Sequence, residues 1–308
     1  MESGQSNGLV VRVTGKEVWV ETGGKVVPCL LRGRFRRAGA GFQIVAGDQV
    51  ELTDPAKRRG APAIEAVLPR RSHLTRCAAG RAAEDRVVVS NVETLFLVES
   101  LHSPELSRGF TDRVLVSAET GGVAVRILLN KIDLAAADGG FSALYDALGY
   151  PVTRTSALTG EGIEEVESLL RGGIYAFVGR SGVGKSSIVN RIAPDLNLRV
   201  GEVEEKTGRG KHTTSSAQLF PFQGGYLADT PGMQTFGFAG TDGGDLARCF
   251  PEFRALEGTC RFSPCTHSHE PGCAVKEAME EGRIARSRHE SYVEMLGEIE
   301  NRQKGRYS

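Results

Sequence analysis

The run Gly179-Arg180-Ser181-Gly182-Val183-Gly184-Lys185-Ser186 has the spacing G-x-x-x-x-G-K-S, which is that of a phosphate-binding loop. Its chemistry is anion capture. Glycines let backbone N–H groups close around phosphate oxygens, and the following helix adds its positive dipole end. Lys185 would reach the β- and γ-phosphates, and the Ser186 hydroxyl would bind Mg²⁺. Ser187 carries the set into the helix. The motif needs a strand before it and a helix after it. The apolar run 174–178 supplies the strand, and residues 187–192 read as the start of the helix.

Three further clusters could complete a nucleotide site. Asn130-Lys131-Ile132-Asp133 follows an apolar run and resembles the guanine-reading N-K-x-D element of GTPases. An Asp133 carboxylate can accept from both N1–H and the exocyclic amine of guanine. Adenine leaves it unpaired, at a cost of about 1–3 kcal/mol. The Lys131 stem would lie over the base plane. Ser156-Ala157 resembles the second base-side element, where a backbone N–H meets guanine O6. Downstream, Asp229-Thr230-Pro231-Gly232 resembles the switch that senses γ-phosphate. Asp229 would hold Mg²⁺ through water, and the Gly232 N–H would face the γ-phosphate. The Gly-rich segment 207–214 lies between, and Thr213, ahead of Thr214, should complete the Mg²⁺ shell.

A different chemistry is written at residues 260–273. Cys260, Cys265, His267 and Cys273 form C-x4-C-x-H-x5-C, with His269 a rival for the histidine position. Three thiolates and one imidazole make a closed tetrahedral zinc set, which is structural because no coordination position stays open. Cys29, Cys77 and Cys249 are left over and read as packed.

The elements around these clusters suggest three parts. Residues 1–70 hold five short β-branched runs punctuated by Gly15, Gly23-Gly24 and Gly47-Asp48, which fits a small barrel of OB type. Its loop 32–37 places four arginines around Phe35, a composition that could grip RNA phosphate and stack a base. Residues 71–91, arginine-rich and without apolar periodicity, read as a connector. From 92 to 238 strands alternate with helices, so a doubly wound sheet is expected. Residues 105–120 read as a helix with Phe110, Val114, Leu115 and Ala118 on one face. Residues 239–308 should form a helical zinc-binding domain, with helices at 245–253 and 275–303 and Val293, Leu296 and Ile299 on an apolar face.

The order of the clusters is informative. A GTPase in the ordinary order runs phosphate loop, switches, then base-reading elements. Here residues 130–133 and 156–157 precede the loop at 179–186. The same sheet can be threaded from another start, because domain termini often lie close together. This circular permutation tethers whatever follows Gly232 to the γ-phosphate sensor. Loss of that phosphate would then shift the zinc domain.

Composition narrows the classes little. The 308 residues carry 38 basic and 38 acidic side chains, so net charge favours no partner. The polar stretch 1–8 lacks a signal-peptide pattern, and no apolar run approaches a membrane span. Six cysteines, three of them near histidines, suggest metal in a reducing, cytoplasmic setting rather than disulfides.

This order, behind a small β-domain and ahead of the cysteine cluster, resembles the RsgA (YjeQ) family of circularly permuted GTPases of small ribosomal subunit biogenesis. The sharpest marks are residues 179–187, 130–133, 208–214, 229–232 and the zinc set. The resemblance implies an OB-fold N-domain, a permuted GTPase domain and a zinc-binding C-domain. It also implies binding of GTP and GDP, hydrolysis stimulated by the small ribosomal subunit and its rRNA, and a late role in maturing that subunit. A monomer is expected. Met233 follows Gly232 where many GTPases have Gln; the resemblance points instead to His212 as the residue that orients the attacking water. Lys211 stands where the family is expected to have Arg, which keeps charge but not bidentate geometry. Cys77 stands where it usually has Pro. Two other readings stay open: a nucleotide-gated rRNA-binding protein without turnover, and a permuted GTPase of the large subunit.

Overall fold

In the computed structural model the strands β1 (Ser6–Thr14), β2 (Glu17–Thr22), β3 (Lys25–Leu31), β4 (Gln49–Leu52) and β5 (Ala63–Val67) close a barrel. The structure describes residues 6–15, 17–31, 43–53, 61–76, 86–134, 137–196, 217–230, 236 and 243–306. Strand β1 pairs with both β2 and β4, β4 with β5, and β5 runs parallel to β3. That is the closed five-strand order of an OB barrel. Alternation puts Val10, Val18, Val20, Val50, Leu52 and Ile64 inside. Gly23 and Gly24, at φ +55° and +74°, turn β2 into β3.

The expected connector is partly a β-ribbon. Strands β6 (His73–Arg76) and β7 (Arg86–Ser90) pair antiparallel. Leu74 and Val89 enter the main core. Buried Asp48 binds the ribbon to the barrel, accepting from Arg70 at 2.7 and 3.0 Å and from Ser90 Oγ at 2.7 Å. The turn at Gly47, φ +93°, passes so close to Ser90 that a Cβ would strike its carbonyl.

The central sheet is built from β8 (Thr94–Ser100), β9 (Ala124–Asn130), β10 (Val152–Arg154), β11 (Ile174–Val178), β12 (Gln218–Phe222) and β13 (Gly225–Asp229). Its order is β10-β9-β8-β11-β13-β12, and the first five strands are parallel. Helices α1 (Arg108–Gly121) and α2 (Phe141–Ala147) cover one face. Helices α3 (Ile163–Ser168) and α4 (Lys185–Ile192) cover the other. Strand β8, buried from Leu95 to Ser100, feeds both faces: Leu95 and Leu97 into one core, Phe96 and Val98 into the other. Val114, Leu115 and Ala118 of α1 are buried as expected, and Phe110 packs at the edge. The barrel joins this sheet through β1 and β12, at Arg12 and Gln218.

The last part holds α5 (Gly243–Arg248), α6 (Pro251–Arg254), α7 (Ala274–Glu280) and α8 (Arg286–Arg306). Each of the two helices expected here is divided. Pro251 starts α6 because it cannot continue α5. Gly282, at φ +77°, ends the α7 turn before α8 begins. Tyr292, Met295, Leu296 and Ile299 form the buried face of α8, while Val293 is 37% exposed and lies off it. No described helix is long and apolar enough to cross a membrane.

Candidate nucleotide site and metal centre

In a parallel sheet every strand delivers its C-terminal end to the same edge. Here β9 ends at Asn130, β10 just before Ser156, β11 just before Gly179, and β13 at Asp229. Strand β8 pairs with β9 on one side and β11 on the other, which makes the crevice beside it a topological switch point. The segments 130–133 and 155–157, the glycine-rich loop 179–186 and Asp229 therefore meet at one rim.

Asn130 welds three of these segments. Its Nδ2 donates to the Val183 carbonyl in the phosphate loop at 2.9 Å. Its Oδ1 accepts from the Ala157 N–H at 3.1 Å and from Thr155 Oγ1 at 3.3 Å. Asp133, exposed in the turn Ile132–Leu134, accepts from Ser156 Oγ at 2.5 Å. Lys131, at φ +62°, donates from Nζ to the Ser103 carbonyl. The clusters 130–133 and 155–157 are thus joined side chain to side chain, and Asn130 ties the first of them to the loop.

The phosphate loop runs from β11 into α4 as its glycines require. Gly184 stands at φ +96° at the head of α4, where a Cβ would collide with Asn130 Nδ2. A Cβ at Gly179 would meet the Val98 carbonyl. Ser181 and Gly182 are exposed at the tip, Ser186 is half-buried and Ser187 exposed on the first turn of α4. Lys185 folds back, donating to the Gly179 carbonyl at 2.9 Å and the Arg180 carbonyl at 3.4 Å. Burial pulls its pKa below the ordinary lysine value. Burial also pushes the Asp229 carboxyl up, so each charge gains from an oppositely charged ligand.

His212, Thr213, Thr214 and Gly232 lie outside the described residues, as do Lys211, Met233, Cys77 and the arginine loop 32–37. Two residues with a clear part in this site carry no motif. Arg191, at the end of α4, donates from Nη1 to the Ala157 and Leu158 carbonyls at 3.1 and 3.2 Å, holding the base-side loop. Glu99, at the end of β8, is fully buried and faces Arg180. In sequence both look like ordinary charges.

The metal candidates converge as well. The ligand atoms of Cys260, Cys265, His267 and Cys273 all lie within 4.8 Å of one another. A zinc tetrahedron with bonds of about 2.3 Å to sulfur has edges of about 3.8 Å. Cys260 and Cys273 sulfurs are 3.9 Å apart, and His267 Nδ1 is 3.6 and 3.4 Å from them. His269 is exposed and faces Ser268, so the histidine position falls to His267. Among the leftover cysteines, Cys29 and Cys249 are buried in apolar packing. This Cys3His cluster is compatible with a zinc site.

Comparison with known proteins agrees with the geometry. The family model described as RsgA GTPase matches residues 67–239. The small ribosomal subunit biogenesis GTPase RsgA of Gemmatimonas aurantiaca is 39% identical over 303 residues, covering 96% of this chain and 98% of that protein. The protein of the same name from Moorella thermoacetica is 40% identical over 299 residues, with 96% and 98% covered. YjeQ from Thermotoga maritima superposes with a TM-score of 0.71 at 37% identity, over 96% of this chain and 98% of that one. YloQ, described as a circularly permuted GTPase, gives 0.72 at 27% identity, with 97% and 96% covered. The chain belongs to the RsgA family of circularly permuted GTPases.

Proposed function

We propose that this GTPase hydrolyses GTP to GDP and phosphate when engaged by the small ribosomal subunit, and acts late in maturing it. The observation that carries the reading is the meeting of four permuted segments at one sheet edge, with Asn130 bonded to two of them. Relatives named for small ribosomal subunit biogenesis support the partner. Asp133 reads the guanine amine and N1–H, Lys131 lies along the base, and the Ala157 N–H region faces O6. Residues 179–187 wrap the phosphates, with Lys185 giving its charge to them. Ser186, Thr213 and Asp229 are suited to Mg²⁺, which neutralises phosphate charge when bound. His212 orients the attacking water, and the Gly232 N–H senses the γ-phosphate. The Cys3His set holds one structural zinc and keeps the 260–273 loop in place.

The barrel offers the rRNA contact through loop 32–37, and the C-terminal domain reports the nucleotide state. The protein works as a monomer in the cytoplasm. Phosphate release measured with and without purified small subunits tests this reading. Strong stimulation by small subunits, lost in His212→Ala and after zinc chelation, is expected. Turnover indifferent to small subunits, or stimulated only by large ones, would contradict it. Subunit binding should also be tighter with a non-hydrolysable GTP analogue than with GDP; equal affinities would remove the output role of the C-terminal domain.

A further inference from the structure

Arg180 lies in a variable position of the phosphate-loop pattern, yet it has a specific and buried partner. Its Nη2 donates to Glu99 Oε2 at 3.2 Å and to the Glu105 carbonyl. Glu99 is fully buried at the C-terminal end of β8. Its other oxygen accepts from Thr111 Oγ1 of α1 at 3.2 Å, and the Ser107 N–H at the head of that helix also stabilises it. Burial raises the Glu99 carboxyl, and Arg180 opposes the rise. One carboxylate thus ties the entrance of the phosphate loop to the β8–α1 turn and to the start of α1. Lys131 holds the same turn from the base side, through Ser103.

A buried anion beside a phosphate site is electrostatically adverse. It would repel the ligand unless a cation cancelled it. Arg180 does that, and the same Nη2 also donates to the Glu105 carbonyl, at a point one bond further from the backbone than a lysine nitrogen extends. We propose that Glu99 is a positioning residue: acting through Arg180, it fixes the first residues of the phosphate loop against the β8–α1 turn and so sets the affinity for nucleotide phosphates. The inference rests on the proposed reading that residues 179–187 hold those phosphates. It assigns Glu99 no contact with the nucleotide.

Two roles for Glu99 predict opposite signs. If Glu99 were only a misplaced negative charge, Glu99→Gln would tighten phosphate binding. If it positions the loop, the same variant weakens binding. Affinity for fluorescent GDP and a fluorescent non-hydrolysable GTP analogue should fall about fivefold to tenfold in Glu99→Gln. KM for GTP should rise to match, with kcat little changed, and thermal stability without nucleotide should be equal or higher. A purely structural defect would instead lower stability and the active fraction. Arg180→Lys, at a partly exposed side chain, keeps the charge but sets its nitrogen one bond short of the Glu99 and Glu105 acceptors; it should weaken binding too. The double variant Glu99→Gln, Arg180→Gln should be no weaker than Arg180→Gln alone. Equal or tighter binding in Glu99→Gln, unchanged binding in Arg180→Lys, or additive losses in the double variant would each overturn the proposal. If the wild-type chain bound neither nucleotide, this inference and the functional reading would fall together. If it bound both and the variants matched it, this inference alone would fall.

Discussion

Lys185 and Arg288 are both cations withdrawn from water, and the fold treats them in opposite ways. Lys185 has neutral partners, the Gly179 and Arg180 carbonyls of its own loop. Arg288 of α8 is fully buried between two carboxylates. It donates from Nη1 to Asp112 of α1 at 2.6 Å, and from Nε and Nη2 to Glu252 of α6 at 2.7 and 3.2 Å. Tyr145 of α2 donates to the same Asp112 oxygen at 2.6 Å, and the guanidinium lies 4.4 Å from the Phe250 ring centre. Burial works against the Arg288 charge, but Asp112 and Glu252 hold its pKa above the usual arginine value. For Lys185 burial acts with no such opposition. A cation already matched by carboxylates is a joint between domains. A cation resting on neutral carbonyls keeps a charge to offer an anion.

The comparison can be broken by variants at each cation. Arg288→Met leaves Asp112 and Glu252 facing each other without a counter-charge. It should cost about 3–5 kcal/mol of stability, read as a fall in the denaturant midpoint. Lys185→Ala should leave stability without nucleotide unchanged or slightly raised, because it removes a desolvated charge. Its cost should appear in GDP affinity, a loss of about 1.5–3 kcal/mol, or roughly 10- to 150-fold. Comparable stability losses in the two variants would erase the distinction.

A smaller effect sharpens it at the outer side of the same interface. Arg113 of α1 and Glu298 of α8 form a two-pronged pair at 2.7 and 2.5 Å, with Glu298 partly exposed. The hydrogen bond from Arg113 holds the Glu298 carboxyl below the usual glutamate value. A depressed folded pKa gives stability that is present above the unfolded value and lost as pH falls through the folded one. Wild type and Arg113→Gln should therefore differ at neutral pH, by up to about 1 kcal/mol, and converge in acid below the usual glutamate range. A difference that persists there would assign the effect to packing instead.

The convergence of residues 130–133, 155–157, 179–186 and Asp229 was legible because phosphate and base chemistry would constrain such residues in type and spacing. The five barrel strands and the alternating central elements were legible from β-branched runs and turn glycines. The β6–β7 ribbon was not. Its two strands are short and arginine-bearing, and they are held by Asp48, Ser90 and Asn91, whose bonds span twenty residues or more. The domain joint was also hidden. Asp112, Glu252 and Arg288 look like surface charges in sequence, and only the packing of α1, α6 and α8 buries them together. The division of the last helices was written locally, in Pro251 and Gly282, but apolar spacing carried the reading across both.

The central claim is that segments reordered along the chain converge on one guanine nucleotide, with Asp133 reading the base and Lys185 the phosphates. Competition binding with Asp133→Asn tests it most directly. An amide in place of the carboxylate can donate to the 2-oxo group of xanthine but can no longer accept both guanine protons. Wild type should bind GDP far more tightly than ADP or xanthosine diphosphate, and Asp133→Asn should reverse the order of GDP and xanthosine diphosphate while keeping its dependence on Lys185. An Asp133→Asn protein that still prefers GDP as strongly as wild type would contradict the account.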